Sequence, residues 1–225
     1  MKDPGFVAAF NKAADTYDQQ HGATCGVAHR LALAAVAAHG TVPRSVLDIG
    51  CGTGVLLDLV AQRWPQARLR GVDPAQRMID VAGRRLPQAE LAVATAERLP
   101  VPDASVDLVL STTSFNHWSD HRAALREAAR VARPGGLVVV VEHAPPGLLM
   151  GALLRLTGRM VRHHSPTDFA RLAWAGGLHP LRVTREEGGF VRLLARPESA
   201  ARPYPTTWAE RIAFGARTAP PKETS

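Results

Sequence analysis

Cysteine, tyrosine and long apolar runs are all scarce in this 225-residue chain, and each scarcity excludes something. Cys25 and Cys51 are too few for a disulfide framework in a domain of this size, and neither stands at a metal-ligand spacing, so stability must come from a hydrophobic core. No stretch approaches the ~18 unbroken apolar residues of a membrane-spanning helix. Aromatic residues make up only 5%, and no run of Lys or Arg is interleaved with them. That argues against a nucleic-acid surface despite a net charge of +7. The first twenty residues mix charges with apolar residues and offer no small-residue cleavage site, so no secretory signal is expected and the cytoplasm is the expected compartment.

The remaining composition, 46% hydrophobic and 21% charged, is that of a soluble globular domain. Its charge is uneven. Residues 1–120 hold 11 Lys/Arg against 12 Asp/Glu, whereas residues 121–225 hold 16 against 8. Such a balance favours an anionic or membrane-associated small partner over nucleic acid.

Short β-rich runs alternate with longer helical patterns. The runs are Ser45–Ile49, Arg68–Val72, Glu90–Ala94, Val106–Ser111 and Leu137–Glu142. Helices are expected over Val55–Trp64, Ala75–Leu86 and Asp120–Ala132, with Pro65, Pro87 and Pro134 just past their ends. Repeated βαβ units with near-continuous Val/Leu strands predict a parallel sheet covered by helices on both faces. Two further runs, Leu181–Glu186 and Phe190–Arg196, flank Gly188-Gly189 and predict a closing hairpin, hence one antiparallel strand. Residues 6–20 and 25–39 read as helices before the first strand. Residues 1–197 are expected to form one domain, with 145–177 as an inserted substrate cap and 198–225 as a tail.

The segment "VLDIGCGTG", Val46 to Gly54, leaves the first strand with glycines at 50, 52 and 54. A glycine-rich turn there puts a ligand at the carboxyl ends of the strands. The dinucleotide fingerprint G-x-G-x-x-G would need glycine where Val55 stands, which weakens a nicotinamide oxidoreductase reading. Asp48 would repel a pyrophosphate but suits a ligand carrying an ammonium and a sulfonium. In order along the chain, "VLDIGCGTG", "GVDPAQRMI", "ATAERLPVPDASVDLVLS" and "LREAARVARPGGLVVVVE" resemble the motifs of class I S-adenosylmethionine (SAM) dependent methyltransferases, in the small-molecule branch that includes the quinone-biosynthesis enzymes. The resemblance covers Val46 to Glu142. It implies a Rossmann-like, doubly wound α/β sheet of seven strands with strand seven antiparallel, N-terminal helices, an inserted helical lid, and SAM as cofactor.

Asp73 follows Gly54 by 19 positions, near the ~20-residue spacing at which an acidic residue accepts ribose hydroxyls, although it also suits the start of the next helix. By resemblance Gly50, Cys51, Gly52 and Gly54 form the cofactor loop, and Pro74 and Met78 pack on the adenosine. Ala96 offers a backbone contact to adenine. Thr95 stands where the family often has a carboxylate, and Tyr17 folds over the cofactor, with helix packing as its alternative role. Ser111 closes the fourth strand, so its backbone is expected beneath the methionine part. Glu97 reads as a brace of its loop. His117 is the candidate general base, with packing as its alternative role, while Phe115 and Trp118 read as substrate-pocket walls. Leu149 and Leu153 begin an apolar stripe continued by Leu156 and Met160, with Arg155, Arg159 and Arg162 interleaved. This basic amphipathic stretch fits either a helix packed on the domain with solvated arginines or one that meets an apolar, anionic or membrane-dissolved acceptor such as a quinol, phenol, lipid or polyketide-like molecule. No metal site is expected, since His143, His163 and His164 have no further ligand at a metal-binding spacing. A SAM-binding protein without activity remains the alternative from another class.

Overall fold

A computed structural model describes residues 4–146 and 163–198. The first two helices, α1 (Pro4–Ala13) and α2 (Tyr17–Ala38), precede the sheet. Strands β1 (Ser45–Ile49), β2 (Arg68–Asp73) and β3 (Glu90–Val93) are separated by α3 (Val55–Arg63) and α4 (Gln76–Arg85); β3 leads to β4 (Val106–Thr112) without a helix, and α5 (His121–Val131) precedes β5 (Ala132–His143). Helix α6 (Pro166–Ala175) then leads into β6 (Leu178–Glu186) and β7 (Phe190–Pro197). The sheet order is β3-β2-β1-β4-β5-β7-β6, and β7 runs antiparallel to both of its neighbours. The doubly wound sheet and its closing hairpin are therefore as expected.

Alternation along the strands sorts the core into two layers. Leu47, Ile49, Val138 and Val140 face the side covered by α5 and α6, together with Phe115 and Phe169. Val46, Leu108, Val139 and Val141 face the other side, against α2, α3 and part of α4. Both faces are apolar because both are covered, which is why these strands read as continuous Val/Leu runs. A third, smaller cluster joins α1 to α4 through Ala14, Ala75 and Met78, with Val7, Phe10 and Tyr17 packed on it.

Three local expectations shift. The break between the first helices falls at residues 14–16 rather than 21–24, and α2 runs through Gly22 and Gly26. Packing of Ala28, Ala32, Ala35 and Val36 on the sheet outweighs the low helix propensity of two glycines. The strand β5 begins at Ala132 rather than Leu137, so Pro134, just past the end of α5 as expected, lies within an exposed lead that bulges against β4. Within 145–177, α6 buries Phe169 and Ala173 in the sheet core and starts from a capping box of Ser165 and Asp168. The proposed lid residues Leu149 and Leu153, like the tail beyond 198, lie outside the described residues. Among the described residues no helix is long and apolar enough to cross a membrane.

Candidate cofactor and active site

The carboxyl ends of β1 to β4 open into a cleft roofed by α1 and the first half of α2, enclosing about 1020 Å³ with its open mouth included. That is the size of a small-molecule site. Its floor is the turn after β1, and the bareness of the turn has separate causes. A side chain at Gly50 would collide with the Ser114 hydroxyl, 2.2 Å from where its Cβ would stand. A side chain at Gly54 would press on Ala82 of α4 at 3.1 Å. Those two glycines serve packing. At Gly52, with φ at +53°, a Cβ would meet nothing within 4 Å, and the residue lines the cleft. Only here does bareness leave room for a ligand to lie against the main chain.

Asp48 lies on this floor, 2% exposed, and its Oδ1 is sealed with no hydrogen-bond partner among the described residues. Burial, and then repulsion from Asp73, pushes its pKa up to about 8. A carboxylate kept in such a place is costly unless a cation meets it. Asp73 closes β2 differently. Its Oδ2 accepts the Gly52 N–H at 3.1 Å and its Oδ1 accepts the Ala75 N–H at 2.9 Å, so it ties the glycine turn to the start of α4. The carboxylate lines the cleft as well, so the capping and ligand-facing roles coexist. Burial also pushes the neighbouring Cys51 thiol well up, which keeps it protonated and poorly nucleophilic.

The far wall follows β3 and β4. Thr95 and Ala96 line it, but the Thr95 hydroxyl is hydrogen-bonded to Glu97. Glu97 braces the loop as read from the sequence: its Oε1 accepts the Ser119 N–H at 2.8 Å and the Asp120 N–H at 3.2 Å. Although burial raises its pKa, these bonds outweigh burial and hold it below the usual carboxylate value. Ser114, which the sequence reading missed, is the hub of this wall. Its hydroxyl donates to the Ile49 carbonyl at 3.1 Å and accepts from Trp118 Nε1 at 3.1 Å, with Ser111 Oγ also at 3.1 Å.

The roof is aromatic. The Phe6 ring lies 4.6 Å from His117 and 4.7 Å from Phe10, and Phe10 lies 5.9 Å from Tyr17. Burial, then the adjacent Cys25, holds the Tyr17 hydroxyl firmly protonated. Polar contacts clasp the roof to the floor: the Thr53 hydroxyl donates to Asp18 at 2.5 Å, and Arg85 bridges Asp18 and the Thr53 carbonyl, each at 2.6 Å.

Of the residues singled out from sequence, Tyr17, Asp48, Gly50, Cys51, Gly52, Asp73, Pro74, Met78, Thr95, Ala96, His117 and Trp118 converge on the cleft. Gly54, Ser111 and Phe115 do not line it. Ser111 is buried against Ser114, and Thr112 and Thr113 reach the cleft in its place. Phe115 is fully buried, stacked 4.7 Å from Phe169, so it is core rather than pocket wall. The sequence reading also missed Phe6, Phe10, Asp18, Cys25 and His29, all on the two roof helices. Among the described residues no three His, Cys, Asp or Glu side chains converge to hold a metal ion.

Comparison with known proteins agrees with this geometry. Residues 47–140 match the family model described as a methyltransferase domain. The chain is 32% identical over 142 residues to a demethylmenaquinone methyltransferase of Thermotoga maritima, a match covering 62% of this chain and 60% of that protein. It is 38% identical over 132 residues to the enzyme of the same name from Deinococcus radiodurans, covering 56% and 54%. The matches thus span little more than half the length of these curated relatives. A solved structure of a SAM-dependent methyltransferase from Thermotoga maritima, a possible histamine N-methyltransferase, superposes with a TM-score of 0.63 at 24% identity, covering 83% of this chain and 97% of that one. Residues 47–140 thus match a methyltransferase domain, and the sheet built on them has the doubly wound, Rossmann-like order with β7 antiparallel.

Proposed function

We propose that this chain transfers the SAM methyl group to a small apolar acceptor held beneath the α1–α2 roof. One observation carries the reading: the buried Asp48, whose Oδ1 has no partner among the described residues, on the floor of a cleft whose glycine turn is open only at Gly52. A ligand with an ammonium and a sulfonium supplies the missing positive charge and fills the space at Gly52, so the residues present fit the cofactor. Asp73 would accept the ribose hydroxyls, Met78 and Pro74 would flank the adenosine, and the Ala96 backbone would meet the adenine ring.

The sulfonium is an activated donor, so bound SAM supplies the difficult chemistry. The chain's own residues align, desolvate and enclose. Phe6, Val7 and Phe10 form an apolar cover, and His117 and Trp118 lie against the same space. The likeness to demethylmenaquinone methyltransferases supports a quinol-like ring as acceptor, and the apolar cover supports a substrate drawn from a membrane or an apolar pool. His117 packs at a tilt against Phe6, which favours a packing role over that of an essential base.

Calorimetric titration with SAM and with NAD tests the cofactor, the expected outcome being SAM binding alone. Release of S-adenosylhomocysteine across a panel of quinols, phenols and fatty acids then tests the acceptor. Binding without turnover on any of them would favour the inactive SAM-binding alternative.

A further inference from the structure

Helix α2 turns one stripe toward the cleft: Asp18, Gly22, Cys25 and His29, spaced by four, three and four residues, all line it. Asp18 is committed to the Thr53–Arg85 clasp. The rest of the stripe runs past Thr113, whose hydroxyl lies 3.7 Å from Cys25 Sγ. Thr113 is a β-branched residue at φ +50°, a backbone conformation such residues rarely adopt, held by its N–H bond to Val141. Strain of this kind gathers at ligand sites.

His29 is the unexplained member. It is 7% exposed, the one polar side chain among the buried residues of α2, where Ala28, Ala32, Ala35 and Val36 surround it in sequence, yet its Nδ1 is sealed with no partner among the described residues. An apolar side chain would fill that position at lower cost. Burial, opposed by the Asp18 charge and reinforced by Arg30, lowers its pKa to about 4, so the ring is neutral at physiological pH. With no acceptor for a proton on Nδ1, the neutral ring carries its proton on Nε2, the nitrogen left to meet a ligand. A neutral imidazole N–H cannot take up the acceptor's proton while it donates, but it can polarise an oxygen, as in other sites where a buried histidine is kept uncharged.

Resting on the methyltransferase reading above, we infer that His29 is an acceptor-binding residue: its Nε2–H donates a hydrogen bond to a carbonyl, phenol or enolate oxygen of the methyl acceptor, beside Cys25 and Thr113. Selection is then for an oxygen-bearing ring over an all-carbon one. During transfer the electron pair of the breaking S–CH3 bond stays on sulfur, the acceptor supplies the pair for the new bond, and the proton the acceptor gives up passes to water. His29 steadies charge on the acceptor's oxygen and itself gains and loses nothing.

The test uses the full chain saturated with S-adenosylhomocysteine, titrated with 1-naphthol and with its oxygen-free counterpart 1-methylnaphthalene. Wild type should prefer 1-naphthol about 10-fold, the scale of one buried hydrogen bond. His29→Leu should lose that preference and His29→Gln, which keeps a donor near the Nε2 position, should retain most of it. All three should bind S-adenosylhomocysteine equally. In wild type, ¹⁵N NMR should show the Nε2–H tautomer shifting when 1-naphthol is added, a readout that does not depend on a variant folding. A preference that survives in folded His29→Leu, no preference in wild type, or an unmoved His29 resonance would overturn the inference while leaving the cofactor reading intact. Failure of wild type to bind S-adenosylhomocysteine would sink both.

Discussion

The floor and the roof of the cleft hold their ligand-facing groups by opposite means. The floor sets its residues at strand ends locked in register, β1 between β2 and β4, so Asp48 and Asp73 cannot move without the sheet. The roof consists of two helices joined at residues 14–16, packed by aromatic rings and pinned at the rim by ion pairs with α4. A rigid floor suits recognition of charge at fixed points, whereas a separately hinged roof suits admission and enclosure. Damage to the floor should therefore abolish cofactor binding, and damage to the roof should change rates and acceptor choice.

The sharpest way to break this contrast is Gly52→Val. The side chain would enter the space left for the ligand, and the left-handed backbone would cost about 1–2 kcal/mol besides. Affinity for SAM should fall beyond detection in calorimetry while circular dichroism stays that of the folded chain. Wild-type affinity in a folded Gly52→Val protein would defeat the loop assignment. Asp73→Ala comes next, with an expected loss of about 1.5–3 kcal/mol in SAM binding, the scale of a hydrogen bond to a charged group. Because Asp73 also caps Ala75 and holds Gly52, Asp73→Asn should recover part of the folding stability but not the full affinity.

Asp48 makes the floor's dependence on charge visible through pH. Its folded-state pKa, about 8, lies above the ordinary aspartate value of 3.8, so the free protein holds this proton more tightly than the unfolded chain does. Free-protein stability should then fall as pH climbs from about 4 toward 8. Ligand binding should show the reverse. If the cofactor's ammonium meets an ionised Asp48, binding releases a proton, and affinity for S-adenosylhomocysteine should rise up to 10-fold per unit between pH 5.5 and 7.5, below the range where the ligand's own α-amino group titrates. Calorimetry in buffers of different ionisation enthalpy counts that proton. Asp48→Asn should flatten the dependence.

The floor was legible because its signals are local. Val46 to Gly54 states strand, turn and carboxylate within nine residues, and the four motifs follow the strand order, so Asp48, Gly52 and Asp73 could be placed without knowing any long-range contact. The roof was not, because a helix stripe depends on phase. With a break assumed at 21–24, the repeat of Asp18, Gly22, Cys25 and His29 is cut in two and cannot be seen. Phe115 failed for a related reason: position at a strand end gives proximity to the cleft, but which way its side chain turns was decided by the short 3₁₀ turn Phe115–His117, which sends Phe115 into the core and leaves His117 on the cleft.

That turn makes His117→Ala a sharper probe than a base test alone. As a general base its loss would cost roughly 100-fold or more in turnover. As a ring packed on Phe6 and Phe10, its loss should cost only a few-fold in turnover and should raise KM for the acceptor, since the cover loosens. The smaller effect is expected. A loss of roughly 100-fold with SAM binding intact would move His117 from the roof's packing into the chemistry.

The smallest effect should come from the rim. Asp15, in the joint between α1 and α2, pairs with Arg77 at 2.8 Å and with Arg84 at 3.2 Å, and all three side chains are about half exposed or more. Exposed pairs of this kind add little to global stability, so Asp15→Ala should leave the thermal midpoint unmoved within error. They can still bias a hinge, because opening α1 breaks them while the sheet core stays intact. The Asp18–Thr53–Arg85 clasp and the packing of Phe10 and Tyr17 remain in the variant, so the roof should loosen rather than detach. Dissociation of S-adenosylhomocysteine in stopped flow should therefore quicken by about 2- to 3-fold at low salt, with the difference shrinking as ionic strength rises and the Debye length falls to ~3 Å near 1 M. A rate change independent of salt would point to backbone distortion at the joint. No change at any salt would mean that the Asp15 pairs do not hold the roof, leaving that task to the Asp18 clasp and the aromatic packing.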